Sequence, residues 1–159
     1  VEVFDFVKDS EAVEKYNIDK IPALIVEGEP YRAVRFFGVP AGYEFTTLVE
    51  DILDVSKGKP DLDPSIREKL QDLEKPVHMQ VFISPTCPYC PRAVRTAHKF
   101  ALASEKVTGD MVEVSEFPHL AVKYDVQGVP KTVINEETEV VGAVPEQEFL
   151  EKVLEAVRN

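Results

Sequence analysis

The sequence predicts an α/β protein made of two tandem copies of one supersecondary unit, each a mixed sheet flanked by helices, with the first copy incomplete. Three observations carry this. A short apolar strand at 79–83 gives way, through Ser84-Pro85-Thr86 and Cys87-Pro88-Tyr89-Cys90, to apolar residues at helical spacing: Ala93, Val94, Ala97, Phe100 and Ala101. Residues 16–26 recur at 124–134: Tyr16 and Tyr124, and Pro22 and Pro130, stand 108 positions apart, and Ile18, Ile21, Ile25 and Val26 each meet another β-branched aliphatic. Gly38 and Phe45 then match Gly142 and Phe149 at an offset of 104.

The elements follow in order. Residues 1–6 alternate as a strand, and a short helix around 11–16 leads to the first repeat. The four-residue change of offset is a longer hairpin in the first copy, at Glu27-Gly28-Glu29-Pro30. An amphipathic helix carrying Phe45, Leu48, Val49, Ile52 and Leu53 closes that copy. Residues 56–64 are polar and rich in Pro and Gly, as a boundary is, which divides the chain into 1–57 and 58–159. Asp63 caps, and Pro64 opens, a helix with an Ile66, Leu70, Leu73 stripe. The second copy reads strand, CxxC, long helix, strand at 111–114, helix, hairpin at 130–135 and 139–141, and a final helix with Phe149, Leu150, Val153, Leu154 and Val157. Nothing in the first copy corresponds to 77–108. A four-stranded unit without its central strand leaves backbone donors unpaired, so further chain is expected upstream, or a piece has been cut away.

Cys87 and Cys90 are the only cysteines of 159 residues. Strand, turn, CxxC, helix is the context in which such a pair reads as a redox motif. With Cys87 as helix N-cap, Pro88 falls at N1, where its missing N–H is harmless. The backbone N–H groups of Tyr89 and Cys90 then point at the Cys87 sulfur, and the helix dipole favours its thiolate. Thiols of this kind titrate at roughly 3.5–7.5 instead of about 8.5. Cys87 is therefore the expected nucleophile and Cys90, one turn deeper, the resolving thiol. Arg92 and Arg95 read as the solvated face of the helix. A zinc site needs about four ligands, and only His78, His98 and His119 could join the cysteines, with His98 facing elsewhere. No metal and no other cofactor is expected. A purely structural disulfide of this spacing closes almost no loop and adds little stability. A cluster-binding role stays open.

The order of elements, with CxxC after the first strand and Val129-Pro130 before the third, resembles the thioredoxin fold, and CPYC is the glutaredoxin-type form of the motif. Two such thioredoxin-like units in tandem resemble the glutaredoxin-like protein disulfide oxidoreductases of hyperthermophiles. The residues most similar are 82–91, 95–101 and 36–45, and the chain departs from that family in lacking the start of the first unit. The resemblance implies a cis peptide before Pro130, beside the Cys87 sulfur, with Val129 offering its backbone to an extended substrate strand. Pro88 and Tyr89 complete the implied substrate-binding set, Tyr89 as a rim residue. Thioredoxins bury an Asp six positions before the first cysteine; Val81 stands there, so proton handling at Cys90 needs another acid or solvent.

Composition narrows the partners. The net charge of −11, without a basic run, argues against nucleic acid. No apolar run is long enough for a membrane span. Charged residues reach 30 %, while Asn and Gln together number seven and Met two, a thermophile profile, and hyperthermophile cytoplasm is where intracellular disulfides are common. The expected partners are protein disulfides or dithiols and a thioredoxin-reductase-like electron donor. Two rivals remain: an electron-relay domain for a peroxide reductase, and a peptide-binding module that uses the Val129-Pro130 groove without redox turnover.

Overall fold

The computed structural model describes residues 1–29 and 34–158. In chain order the elements are α1 (Ser10–Lys15), β1 (Ala23–Val26), β2 (Val34–Phe37), α2 (Glu44–Lys57), α3 (Pro64–Gln71), β3 (Val77–Ile83), α4 (Cys90–Ala103), β4 (Val107–Glu113), α5 (Pro118–Lys123), β5 (Lys131–Ile134), β6 (Thr138–Val141) and α6 (Glu146–Arg158). The strands form one mixed sheet in the order β1-β2-β4-β3-β5-β6. β3 is parallel to β4 over its whole length, Val77 opposite Val107 to Ile83 opposite Glu113, and antiparallel to β5. β2 runs parallel to β4 on the other side.

This corrects the expectation of separate sheets: strands of both sequence repeats share one continuous sheet, joined where β2 meets β4. Local geometry repeats with the sequence. Asn17 and Asp125 both have positive φ, as do Gly38 and Gly142, and Ile21-Pro22 and Val129-Pro130 are both cis. The N–H of Gly38 bonds the Pro22 carbonyl at 2.9 Å, and that of Gly142 the Pro130 carbonyl at 2.9 Å. The expected hairpin turn includes Pro30, which lies outside the described residues.

Residues 1–6 are not a strand. No described strand pairs with them; instead the Asp5 carboxylate accepts the backbone N–H groups of Val7 and Lys8, a local turn that competes with extension. The α3 start is as expected: Asp63 caps it by accepting the Ser65 N–H at 2.8 Å, and Ile66 and Leu70 are buried. The main core lies between the sheet and α4, α6 and α3, with Met79, Val81, Ile83, Val94, Phe100, Met111, Phe149 and Leu150 at its centre. A smaller cluster of Phe37, Phe82, Val112, Phe117, Tyr124 and Val133 fills the other face.

α2 departs most from expectation. Phe45, Val49, Ile52 and Leu53 of its apolar stripe are exposed, whereas Glu44, Thr47, Asp51 and Asp54 are buried. The cause lies on α4. Arg95 pairs with Glu50, Asp51 and Asp54 of α2, and the fully buried His98 bonds Asp51. Arg95 is thus not a solvated residue: buried carboxylates require a partner, and α4 supplies two. Arg92 remains exposed.

Candidate redox site

β3 delivers the chain to the site and α4 carries it away. The N–H of Cys87 bonds the Ser84 carbonyl at 3.1 Å, which turns the backbone after the strand. Cys87 and Cys90 are disulfide-bonded, with Cα atoms 5.5 Å apart. Cys90 is fully buried in the main core, while Cys87 is partly exposed. The Cys90 N–H points at the Cys87 sulfur at 3.1 Å.

The helix starts later than the sequence suggests. Its N-cap is Tyr89 and its first residue Cys90, so Cys87 is not the cap. A helix capped at Cys87 would make its first bond from the N–H of residue 91, and Pro91 has none. The first intrahelical bonds therefore form further along. Cys87 still faces the N-terminal end of α4, one loop turn before it.

The substrate-binding candidates are placed as follows. The Val129 carbonyl oxygen lies 3.8 Å from the Cys87 sulfur, and the Val129-Pro130 peptide is cis. Pro130 is buried and Val129 half-buried, whereas Pro88 and Tyr89 are exposed. The structure thus brings Val129 to Cys87 and leaves the Tyr89 ring at the surface.

Sequence reading missed two contributions from the first repeat. The strap before α2 is pressed onto the site: the Tyr43 N–H bonds the Pro85 carbonyl at 3.1 Å. A Cβ on Gly42, where φ is +60°, would stand 2.3 Å from that same oxygen, so only glycine fits. This strap leads directly into Glu44, the second residue missed. α2 and α4 run in the same direction: Asp51 meets Arg95 and His98, and Val55 and Leu102 line one small cavity further along. Carried two turns back toward both N-termini, the same helix register puts Glu44 beside the start of α4, the end that Cys90 opens. It is fully buried, its Oε1 accepts the Thr47 hydroxyl at 2.8 Å, and its Oε2 has no partner among the described residues. Burial pushes its carboxyl up to about 7, with Asp51 adding to the rise and Thr47 and His98 opposing it. A Glu opening an amphipathic helix gives no sequence signal of burial. Only the match of its flanking residues 36–45 to a family pattern marked the segment.

Among the described residues no three His, Cys, Asp or Glu side chains gather as a metal site requires, and no helix is long and apolar enough to cross a membrane.

The family model for the thioredoxin domain matches residues 77–155. Residues 77–155 belong to the thioredoxin domain family. The thioredoxin domain and the residues before it superpose on a protein disulfide oxidoreductase from Aeropyrum pernix with a TM-score of 0.87 and 35 % identity, covering 95 % of this chain and 66 % of that one. The resemblance drawn from the sequence to protein disulfide oxidoreductases is borne out. The alkyl hydroperoxide reductase AhpF of Enterococcus faecalis superposes with a TM-score of 0.83 at 26 % identity, over 92 % of this chain and 71 % of that one. In sequence, the F component of the Staphylococcus aureus alkyl hydroperoxide reductase is 32 % identical over 120 residues, 76 % of this chain and 23 % of that protein. An NADH dehydrogenase of Ferdinandcohnia aciditolerans is 29 % identical over 140 residues, 87 % of this chain. The chain spans about a quarter of the length of these curated relatives (27 % and 23 %). It carries, in a thioredoxin domain, a CxxC disulfide of the oxidoreductase type.

Proposed function

We propose that the chain is a thiol–disulfide oxidoreductase working through Cys87 and Cys90. The observation that carries the reading is the asymmetry of the pair: Cys87 is accessible, with an N–H aimed at its sulfur, and Cys90 is sealed beneath it. In the reduced protein that N–H and the α4 N-terminus favour a Cys87 thiolate. The thiolate attacks one sulfur of a substrate disulfide, forms the mixed disulfide, and expels the other sulfur as a thiolate. Glu44 takes the proton of the Cys90 thiol. The Cys90 thiolate then attacks Cys87, closes the disulfide seen here, and releases the second substrate sulfur, which acquires a proton from water. Substrate is oxidised when the sequence runs backwards. Val129 offers its backbone to an extended substrate segment, with Pro130, Pro88 and Tyr89 shaping the groove.

In this reading the chain comprises two thioredoxin-like units, 1–57 and 58–159, whose β2 and β4 edges join. The repeated φ values and carbonyl bonds support it. Its partners are protein disulfides and a thioredoxin-reductase-like donor, and its setting the cytoplasm of a thermophile. A second reading, a relay domain feeding a peroxide reductase, is favoured by the alkyl hydroperoxide reductase relatives.

Insulin reduction driven by dithiothreitol tests the proposal. Cys87→Ser should abolish turnover, and Cys90→Ser should accumulate a mixed disulfide visible by mass spectrometry. A Cys90→Ser protein that captures no substrate would sink the assignment of roles. Wild-type protein that ignores insulin, yet turns over with a flavin-containing reductase, would favour the relay.

A further inference from the structure

The buried polar layer between α2 and α4 is larger than the redox pair needs. Its groups are Glu44, Thr47, Asp51 and Asp54 from α2, with the half-exposed Glu50 at its rim, and Arg95 and His98 from α4. His98 is held at both ring nitrogens: Nδ1 lies 2.5 Å from an Asp51 carboxylate oxygen, and Nε2 lies 3.1 Å from the Arg35 carbonyl. Both neighbours only accept, so a ring that satisfies both donates from both nitrogens and is the imidazolium. The edge-on Phe36 ring, 4.9 Å away, closes off water on one side. The Arg35 guanidinium is committed elsewhere, to Asp110 at 2.7 and 2.8 Å, and contributes only its carbonyl.

The charges in this layer can be matched one to one. Asp51 and Asp54 are balanced by His98 and Arg95. That leaves Glu44 as the buried carboxyl of this layer without a cation of its own, and its Oε2 has no hydrogen-bond partner among the described residues. We propose that His98 and Asp51 are positioning residues that act on the redox pair through Glu44: their locked ion pair fixes the field around that carboxyl and makes it the one group of the layer that exchanges a proton during turnover. The inference rests on the reading that Glu44 accepts the Cys90 proton. In the resolving step the S–H bond of Cys90 breaks, the proton passes to a Glu44 oxygen, and the electron pair left on sulfur forms the bond to Cys87 as the bond from Cys87 to the substrate sulfur breaks and that sulfur leaves as a thiolate.

The two residues have opposite expected effects, which a merely structural role would not produce. The imidazolium draws the Glu44 carboxyl down and the Asp51 carboxylate raises it. The test isolates resolution: reduced protein is mixed with Ellman's reagent, and release of the second thionitrobenzoate, which requires Cys90 to attack Cys87, is followed by stopped flow from pH 5 to 9. The wild-type rate should show an inflection near neutrality that Glu44→Gln removes. His98→Gln should move the inflection to higher pH, by roughly 1 on the pH scale, and Asp51→Asn should move it to lower pH, the changes typical of removing one charge nearby. Nitrogen NMR of the unsubstituted protein, which needs no variant to fold, should show both His98 ring nitrogens carrying protons, as their two acceptors require. Inflections that stay put or move together in the two variants, or a neutral His98 ring at pH 7, would overturn the proposal while leaving the role of Glu44 intact. An inflection that survives Glu44→Gln removes the underlying reading, and the proposal with it.

Discussion

Asp110 shows how much a single side chain carries here. It sits in the middle of β4, fully buried, and receives the Arg35 guanidinium on both oxygens and His78 Nε2 at 2.5 Å. Burial alone would raise its carboxyl, but the bonds from His78 and Arg35 and their charge hold it below the ordinary carboxylate range. Arg35 in turn reaches the Tyr16 and Asn17 carbonyls, so this one carboxylate ties β2, β4 and the turn after α1 together. Asp110→Asn leaves a buried guanidinium half-compensated and is expected to cost about 3–5 kcal/mol, read from urea unfolding. A loss below about 1 kcal/mol would mean that the pair is replaceable by neutral hydrogen bonds.

At the scale of elements, the repeat allows a controlled comparison of α2 with α6. Phe45 and Phe149 occupy matching positions 104 residues apart, yet Phe45 is 61 % exposed and Phe149 is 0 % exposed. Phe149 meets Phe100 of α4 edge to face at 5.8 Å, and Phe45 meets no such partner among the described residues. Phe149→Ala should therefore destabilise by about 3–5 kcal/mol and Phe45→Ala by no more than about 0.5 kcal/mol. Equal costs, measured by the same denaturant titration, would show that α2 buries its apolar stripe in solution. Local sequence set the length and amphipathicity of both helices. Which face turned inward on α2 was decided by α4, because a salt-bridged carboxylate layer cannot be left half-made.

For the whole molecule, two buried carboxyls bend stability against pH in opposite senses. Asp110 is held low, so its contribution is present above its unfolded value near pH 4 and is lost as the pH falls through its lower folded value. Glu44 is held high, so its protonated form suits the fold. Its contribution is full below about pH 4.5 and is lost as the pH rises to about 7. That loss is on the order of 2–3 kcal/mol, since a tenfold change in proton affinity corresponds to about 1.4 kcal/mol. Glu44→Gln should flatten the decline between pH 5 and 7 in thermal or urea unfolding and leave the acid limb unchanged. A decline of unaltered slope would place Glu44 in contact with water.

Much of this protein was legible in its sequence because the relevant physics is local. The CxxC after a strand, the Asp63-Pro64 helix start and the hairpin at 130–135 and 139–141 each depend on a few adjacent residues, and each stands where the pattern put it. The cis peptide before Pro130 was implied by the family resemblance instead. The helix start at Cys90 was a near miss of the same kind, settled by the missing N–H of Pro91. What the tertiary structure alone decided is everything that depends on which surfaces meet. It joined β2 to β4 in a single sheet, left residues 1–6 without a described strand partner, turned the polar side of α2 inward, and buried Glu44. Periodicity reports that a helix has two faces, but the choice between them follows from the charges and volumes of its neighbours, and those are distant in sequence.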